Sequence, residues 1–452
     1  MKNYKKCIFS AILLLLILFS FTVTAFANEG FVLKECAVLT SSEADWWGAG
    51  VQYGRLLVLD DGTILATHCE LNAGLEEYKP RYPIYKSIDN GANWKVISYV
   101  TDTLTGANSE WNPFLFELEK DCGEYKKGTI ILAGCSIDPE HKKESYIRLY
   151  FSTDGGYTFD QGVVVASGGG LEEGVWEPFL LQLDDGRLVC YYSDDSGTEH
   201  SQKIVYKTSD DAETWSGTTD VVASRNFDER PGMPVVTRLG DGRYFMVYEV
   251  VDKKGVSGNP IYARYSKDGL DWGNPKYIGK EVASYYGGKK ALGSAPFCAW
   301  TPVGGENGTL IVSGTFMRAG ESNTGSDLFI SDDNGRSFVA IPHMISYTAT
   351  NNAGYSNSFA FSEDGKDMYL INNPQNPDNR GKSRMLFATV DFERSLQLFN
   401  IEGIRNTAIM PVALVSVGVA FSAIVIVILI LLVKRKRNKK NERNDTQRTS
   451  DF

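Results

Sequence analysis

Short apolar runs alternate with turns rich in glycine and aspartate along most of this chain. The runs contain many β-branched and aromatic residues, as in Tyr244 to Val250, and no long amphipathic helical pattern precedes residue 405. This pattern is typical of β-strands, and aspartate-glycine between two such runs is a strong signal for a β-hairpin. Six hairpin turns are predicted on this basis, at residues 59–62, 120–128, 183–186, 239–242, 304–308 and 362–365.

The spacing of these turns predicts the architecture. They recur about every sixty residues, a period that suits four-stranded blades with some loop insertions. The 44 glycines and the 12% aromatic residues agree with many short strands joined by tight turns. We therefore predict an all-β fold, a six-bladed β-propeller of four-stranded antiparallel blades, over residues 28–404.

A second motif, Ser-x-Asp-x-Gly-x-x-aromatic, follows five of the six turns. In this motif the aspartate can accept hydrogen bonds from turn amides and the glycine supplies a positive φ, so its role is structural. The motif resembles the Asp box of sialidase-like β-propellers, and the sixth blade is predicted to lack it. Complete copies lie at residues 87–94, 152–159 and 331–338, and degenerate copies at 209–215 and 266–272.

The two ends of the chain predict export and anchoring. Residues 1–27 have a lysine-rich start, an apolar run and a small-x-small cleavage site, which is typical of a signal peptide. Residues 409–433 carry no charge and are long enough for one C-terminal transmembrane helix, and the basic tail at 434–452 marks the cytoplasmic side. We expect a single-pass protein of the cell membrane with an extracellular propeller.

Charge and cysteine usage narrow the ligands. The formal net charge is −10 although both ends are basic, so the part between them is strongly acidic and nucleic acid or anionic lipid is not an expected ligand. The cysteines show no metal-ligand spacing and the four histidines are scattered. We expect no metal, no cofactor and a monomeric catalytic domain, and the disulfide state is left open.

Two glutamates are the candidate catalytic residues. Nine residues before the turn glycine, the inner strands carry Tyr53, Glu177, Met233 and Ser356, and the single carboxylate in that set needs partners if it is buried. Glu249 ends an apolar strand of the next blade. A pair of carboxylates about 5–5.5 Å apart is the geometry of retaining glycoside hydrolysis, and the apolar setting of Glu249 predicts a raised pKa that suits a proton donor. Structural or solvated acids remain the alternatives.

Over most of residues 35–395 the chain resembles glycoside hydrolase family 93, which consists of retaining exo-α-L-arabinanases that release arabinobiose from α-1,5-linked arabinan. The resemblance implies a nucleophile at Glu177, in Trp176-Glu177-Pro178-Phe179, and an acid/base at Glu249. It also implies a tyrosine beside the nucleophile. Tyr355 matches best, and Tyr347 is not excluded.

Further polar residues near the ends of predicted inner strands are candidate contacts for an oligosaccharide or polysaccharide substrate, or ordinary structural residues. They are Arg55, His68, Asn112, Arg230 and Arg318. Four tryptophans fit either sugar-stacking platforms or core packing. They are Trp46, Trp47, Trp111 and Trp176.

Two other functions fit the same architecture. An exo-sialidase would need three arginines around a substrate carboxylate, with Arg55, Arg230 and Arg318 as candidates, although Arg55 is followed by Leu-Leu and not by Ile-Pro as in sialidases. A non-catalytic propeller that binds glycans would not need two facing carboxylates. An arginine triad in the channel would favour the first alternative, and a glutamate pair with one arginine would count against it.

Overall fold

The computed structural model describes residues 31–399, except 42–49, 72–80, 108, 139–143, 283, 286–289, 319–326, 346, 348–352 and 377–378. The predicted signal peptide, transmembrane segment and basic tail lie outside the described residues. Within the described part of the chain, no helix is long and apolar enough to cross a membrane.

The described residues form six antiparallel blades, as predicted from the turns. Blade 1 contains β2 (Gly50–Val58), β3 (Ile64–Leu71), β4 (Tyr82–Ser87) and β5 (Lys95–Val100). Blade 2 contains β6 (Ser109–Glu117), β7 (Ile130–Ile137), β8 (Ser145–Ser152) and β9 (Val164–Gly168). Blade 3 contains β10 (Val175–Gln182), β11 (Leu188–Asp194), β12 (Lys203–Ser209) and β13 (Thr219–Val222).

The other three blades follow in chain order. Blade 4 contains β14 (Arg230–Arg238), β15 (Tyr244–Val251), β16 (Ile261–Ser266) and β17 (Lys280–Glu281). Blade 5 contains β20 (Phe297–Thr301), β21 (Thr309–Ser313), β23 (Leu328–Ser331) and β24 (Val339–Ile341). Blade 6 contains β25 (Ser358–Phe361), β26 (Asp367–Asn372), β28 (Asn379–Asp391) and β1 (Val32–Ser41).

Short elements accompany the blades. The strands β18 (Ser284–Tyr285), β19 (Lys290–Gly293) and β22 (Phe316–Arg318) form a separate three-stranded sheet. The two-residue strand β27 (Gln375–Asn376) pairs with β28. Helix α1 (Phe392–Phe399) directly follows β28.

The blades form a closed ring. The first strand of each blade contacts the first strands of both neighbouring blades, in the order β2, β6, β10, β14, β20, β25 and back to β2. The ring is closed by β1, the first strand in the sequence, which pairs antiparallel with β28 from Val32 opposite Asp391 to Ser41 opposite Arg384. The sixth blade thus joins the two ends of the propeller.

The Asp boxes are structural turns between the third and fourth strands of five blades. In blade 2 the Ser152 hydroxyl accepts the Gly156 N–H at 2.9 Å and donates to Asp154 at 2.8 Å, while Asp154 accepts the Thr158 N–H at 3.0 Å. These contacts satisfy backbone donors that a tight turn would leave unpaired. Blade 6 has no box because its fourth strand comes from the start of the chain, so no turn joins β28 to β1.

Candidate active site

Each blade carries a residue with positive φ in its first strand or just before that strand. The angles are 60° at Tyr53, 49° at Asn112, 60° at Glu177, 56° at Met233, 43° at Ala295 and 52° at Ser356. In blades 1 to 4 the pairing register shifts at this point, which is the signature of a β-bulge.

Because a bulge changes the direction of the side chain, these residues converge on the axis. Tyr53, Met233 and Ala295 pack into one cluster with Trp111 and Tyr355, although the five residues come from different blades or the segments that precede them. The bulge therefore places Glu177, the acidic member of the set, beside this axial cluster.

A second repeated position joins neighbouring blades. It lies on the second strand, seven residues after the turn glycine, and its side chain accepts an N–H from the bulge of the next blade. The bonds described are Asn112 N to Cys69 Sγ (3.1 Å), Glu177 N to the Cys135 sulfur, Met233 N to Ser193 Oγ (3.1 Å) and Ala295 N to Glu249 Oε2 (2.8 Å). Glu249 thus occupies a position at which other blades carry a cysteine or a serine.

Glu177 accepts two short hydrogen bonds that favour its charged form. Its Oε2 accepts the Ser193 hydroxyl at 2.7 Å and the Met233 N–H at 2.9 Å. Enclosure by protein raises the pKa of Glu177, while these two bonds and the charges of Arg230 and Arg55 act against that rise. Its environment therefore combines burial with specific hydrogen bonds to the carboxylate.

Glu249 has a more strongly perturbed environment. The side chain is buried, with 7% of the residue exposed. Burial first, and then the nearby charge of Glu177, raises the pKa of Glu249 to about 7, against the Ala295 N–H, the Ser294 hydroxyl and Arg230. The two acids thus interact electrostatically, and Glu249 is the one that favours the protonated form, in the direction expected from its sequence.

Tyr355 lies near both acids. Burial raises the pKa of Tyr355 above its usual value, and the next causes are the charges of Glu177 and Glu249. Its hydroxyl lies 3.7 Å from Met233 Sδ, and its ring centroid lies 6.3 Å from that of Tyr53. The hydroxyl of Tyr347 donates instead to the Thr315 carbonyl at 2.8 Å. Tyr355 is therefore the candidate whose proximity to both acids is described.

Two of the three candidate arginines already have protein partners. Arg55 lies over the Tyr53 ring at 3.8 Å and donates to the carbonyls of Gly54 and Ser356 and to the Ser356 hydroxyl, each at 2.8 Å. Arg230 donates to Asp195 at 2.9 Å and to Gln202 at 2.8 and 3.2 Å. Arg318 ends β22, and its side chain lies outside the described part of the structure.

His68 and Asn112 lie in blades 1 and 2. His68 is buried, contacts the Tyr85 hydroxyl at 3.2 Å and the Cys69 carbonyl at 2.9 Å, and burial lowers its pKa to about 4. Asn112 is the bulge residue of blade 2 and is 9% exposed. In the described contacts, neither side chain hydrogen-bonds to Glu177 or Glu249.

Two of the candidate tryptophans, in neighbouring blades, lie close to each other. Trp111 and Trp176 have ring centroids 6.1 Å apart. Trp46 and Trp47 lie outside the described residues. No group of three or more metal-ligating side chains occurs among the described residues.

Two residues of the site were not identified from the sequence. Ser193 bonds Glu177 directly, and Asp195 pairs with Arg230. Both belong to Ser193-Asp194-Asp195-Ser196-Gly197, a composition that indicates an ordinary turn. A signal was available for Ser193, because it lies at the same offset from its turn glycine as Glu249.

Comparisons with known proteins agree with this geometry. No protein-family model and no curated protein matches the chain. The structure is similar to that of an alpha-L-arabinanase of Penicillium chrysogenum complexed with arabinobiose, with 31% identity over 80% of this chain and 99% of that one, and a TM-score of 0.68. The GH93 alpha-L-arabinofuranosidase of Fusarium graminearum, also with arabinobiose, gives 29% identity, the same coverages and the same TM-score. The NanB sialidase of Streptococcus pneumoniae, at 12% identity and a TM-score of 0.51 over 80% of this chain and 71% of that one, shows the shared fold alone.

Proposed function

Since the chain belongs to glycoside hydrolase family 93, we propose that this glycoside hydrolase cleaves α-1,5-linked arabinan and releases arabinobiose from the non-reducing end, with retention of configuration. The proposal is supported by the relatives solved with arabinobiose and by the two acids at the axis. We assign Glu177 as the nucleophile and Glu249 as the acid/base.

The observation that carries these roles is the difference between the two acids. Glu177 has two hydrogen-bond donors on one oxygen and Arg230 nearby, which favour its charged form. Glu249 has its pKa raised to about 7 by burial and by Glu177. Two carboxyl groups whose environments separate their pKa values are suited to opposite roles in one reaction.

The reaction then runs in two steps. A Glu177 oxygen forms a bond to the anomeric carbon while the bond to the leaving oxygen breaks, and the Glu249 proton passes to that oxygen. Water next attacks the same carbon, its proton returns to Glu249, and the Glu177 carboxylate is released. Tyr355, near both acids, is placed to stabilise charge at Glu177 during this exchange.

A neutral sugar fits the site better than an anionic one. The described hydrogen bonds of Arg55 go to Gly54 and Ser356, and Arg230 is paired with Asp195. A substrate carboxylate would have to compete with these partners and enter beside two acids. This observation favours arabinan over the sialidase alternative.

We also propose that the propeller acts outside the cell, held by residues 409–433. The support is the sequence pattern of the two ends alone. Protease treatment of intact cells tests it: loss of the propeller with survival of the basic tail is expected, and protection of the propeller would refute it.

The test of function uses the full-length protein with linear arabinan and, separately, with sialyl-lactose, followed by chromatography of the products. Arabinobiose is expected from arabinan and no sialic acid from sialyl-lactose. Glu177→Gln should abolish release. The matched control is Glu213→Gln, at an exposed glutamate in the degenerate box of blade 3, which should keep full activity. Release of sialic acid, or unchanged arabinobiose release by Glu177→Gln, would overturn the proposal.

A further inference from the structure

A third acid lies beside Glu177 and is not used by the mechanism above. Asp195 directly follows β11, the strand that carries Ser193, and its N–H donates to the Gly174 carbonyl at 2.9 Å. It is 4% exposed. Burial raises the pKa of Asp195 to about 7; the charge of Arg230 acts against that rise and the charge of Glu177 adds to it, so the two acids lie close enough to interact electrostatically.

The two carboxylate oxygens of Asp195 differ in their contacts. Oδ2 accepts the Arg230 Nη2 hydrogen bond at 2.9 Å. Oδ1 is buried and has no hydrogen-bond partner among the described residues. The Trp176 indole lies near enough to favour the charged form, but no bond of ordinary geometry reaches Oδ1. A buried carboxyl oxygen without a hydrogen-bond partner is unusual in a folded protein, and it indicates a group that pairs with something else.

Arg230 is oriented but not enclosed. Its Nε and Nη2 groups are bound by Gln202, which itself donates to the Pro231 carbonyl at 3.0 Å. About 39% of the side chain of Arg230 remains exposed, whereas that of Asp195 is 2% exposed. One edge of the guanidinium is therefore fixed, and Nη1 has no protein partner in the described contacts.

We propose that Asp195 and Arg230 together bind hydroxyl groups of the sugar unit whose anomeric carbon faces Glu177. Asp195 Oδ1 accepts from one hydroxyl, and Arg230 Nη1 donates to the same or a neighbouring one. An acceptor and a donor held side by side form the pair that a polyhydroxylated neutral sugar requires. Asp195 is then a substrate-binding residue that sets specificity, and its ion pair with Arg230 keeps both groups in position.

This inference rests on the proposed function, and the experiment separates the two. Arabino-oligosaccharides that lack one hydroxyl of the reacting unit are compared with the intact substrate in the wild type and in Asp195→Ala. At one hydroxyl position, removal of the hydroxyl should lower kcat/KM of the wild type by about tenfold or more. The same removal should lower kcat/KM of Asp195→Ala by less than about twofold. A merely structural role for Asp195 would lower activity on both substrates and leave their ratio unchanged.

The matched control is Asp184→Asn. Asp184 lies in the same blade and pairs with Arg238 at 2.8 and 3.0 Å, but it is exposed and its pair is on the surface. This variant should behave as the wild type on every substrate. If Asp195→Ala does not fold, Asp195→Asn, which preserves the volume, carries the same comparison.

The outcomes are distinct. Hydroxyl penalties that are equal in the wild type and in the Asp195 variants at every position would overturn the role of Asp195 and leave the proposed function intact. A wild type that does not cleave arabinan would refute the proposed function. In that case, calorimetry measures the affinity for arabinobiose and for its deoxy derivatives in the wild type and in Asp195→Ala, and the ratio of the two affinities tests the role of Asp195. If no ligand binds, the role of Asp195 and the proposed function are both overturned.

Discussion

Blades 2 and 4 make the same hydrogen bond to the next blade, but the accepting side chains have different roles. In blade 2 the Cys135 sulfur accepts the N–H of Glu177, and in blade 4 the Glu249 carboxylate accepts the N–H of Ala295. Burial raises the pKa of the Cys135 thiol far above its usual value, so it stays neutral and serves as packing. Glu249 makes the same link and adds a titratable proton. The comparison shows that the Glu249 carboxyl occupies a position whose geometry is already set by the repeated contact between blades.

The bulges teach a related lesson about strain. Non-glycine residues with positive φ are unfavourable and often mark active sites. Here the same conformation recurs in every blade, at Asn112 and Met233 as well as at Glu177. The strained backbone is therefore part of the propeller, and only the side chain at one such position distinguishes the site from the other blades.

The largest expected effect comes from removing the carboxylate of blade 4. Glu249→Ala should lower kcat on arabinan by about a thousandfold, because the leaving oxygen then departs without a proton. Glycosylation of the enzyme by an aryl arabinobioside with an acidic phenol should slow far less, since this leaving group needs no proton. Pre-steady-state phenol release measures the difference, and equal losses on both substrates would contradict the acid role.

The pH dependence tests the same difference between the acids. Glu249 must be protonated at the start, and its pKa is raised to about 7, so kcat/KM should fall as the pH rises through about 7. Glu177 must be charged, so activity should also fall on the acidic side. In Glu249→Gln the residual activity on an aryl substrate should lose the basic limb. A basic limb that persists in this variant would assign it to another group.

The same substitution should alter stability in a pH-dependent way. An acid whose pKa is higher in the folded than in the unfolded protein costs stability as the pH rises above its unfolded value near 4.5. Glu249→Gln keeps an acceptor for the Ala295 N–H and removes the buried charge. It should stabilise the protein at pH 8 by about 1–3 kcal/mol, and less at pH 5. Denaturant unfolding at both pH values measures this, and an equal effect at the two would contradict it.

The smallest effect is expected in blade 2. Cys135→Ala removes the sulfur that accepts the Glu177 N–H and should cost about 1–2 kcal/mol of stability. It should change kcat on arabinan by less than about fivefold, because the Glu177 carboxylate keeps Ser193 and Met233. A loss of kcat comparable to that of Glu249→Ala would show that Cys135 is as important for activity as Glu249, which would contradict the comparison.

Local signals account for what the sequence predicted. The hairpin turns and Asp boxes depend on hydrogen bonds within a few residues, so six blades were readable before the structure. The closure of blade 6 could not be predicted, because β1 and β28 lie near opposite ends of the chain and nothing in either strand's sequence identifies its partner. Glu177 and Glu249 stood out as single acids in apolar strands, whereas Asp195 resembled a turn residue.

The central claim is that Glu177 becomes bonded to the sugar while Glu249 moves protons, and peptide mass spectrometry tests it directly. Glu249→Ala, mixed with an aryl arabinobioside and quenched, should accumulate a glycosyl adduct on the peptide that contains Glu177, because no base remains to activate water. An adduct on another residue, or an inverted product released without any adduct, would contradict the account.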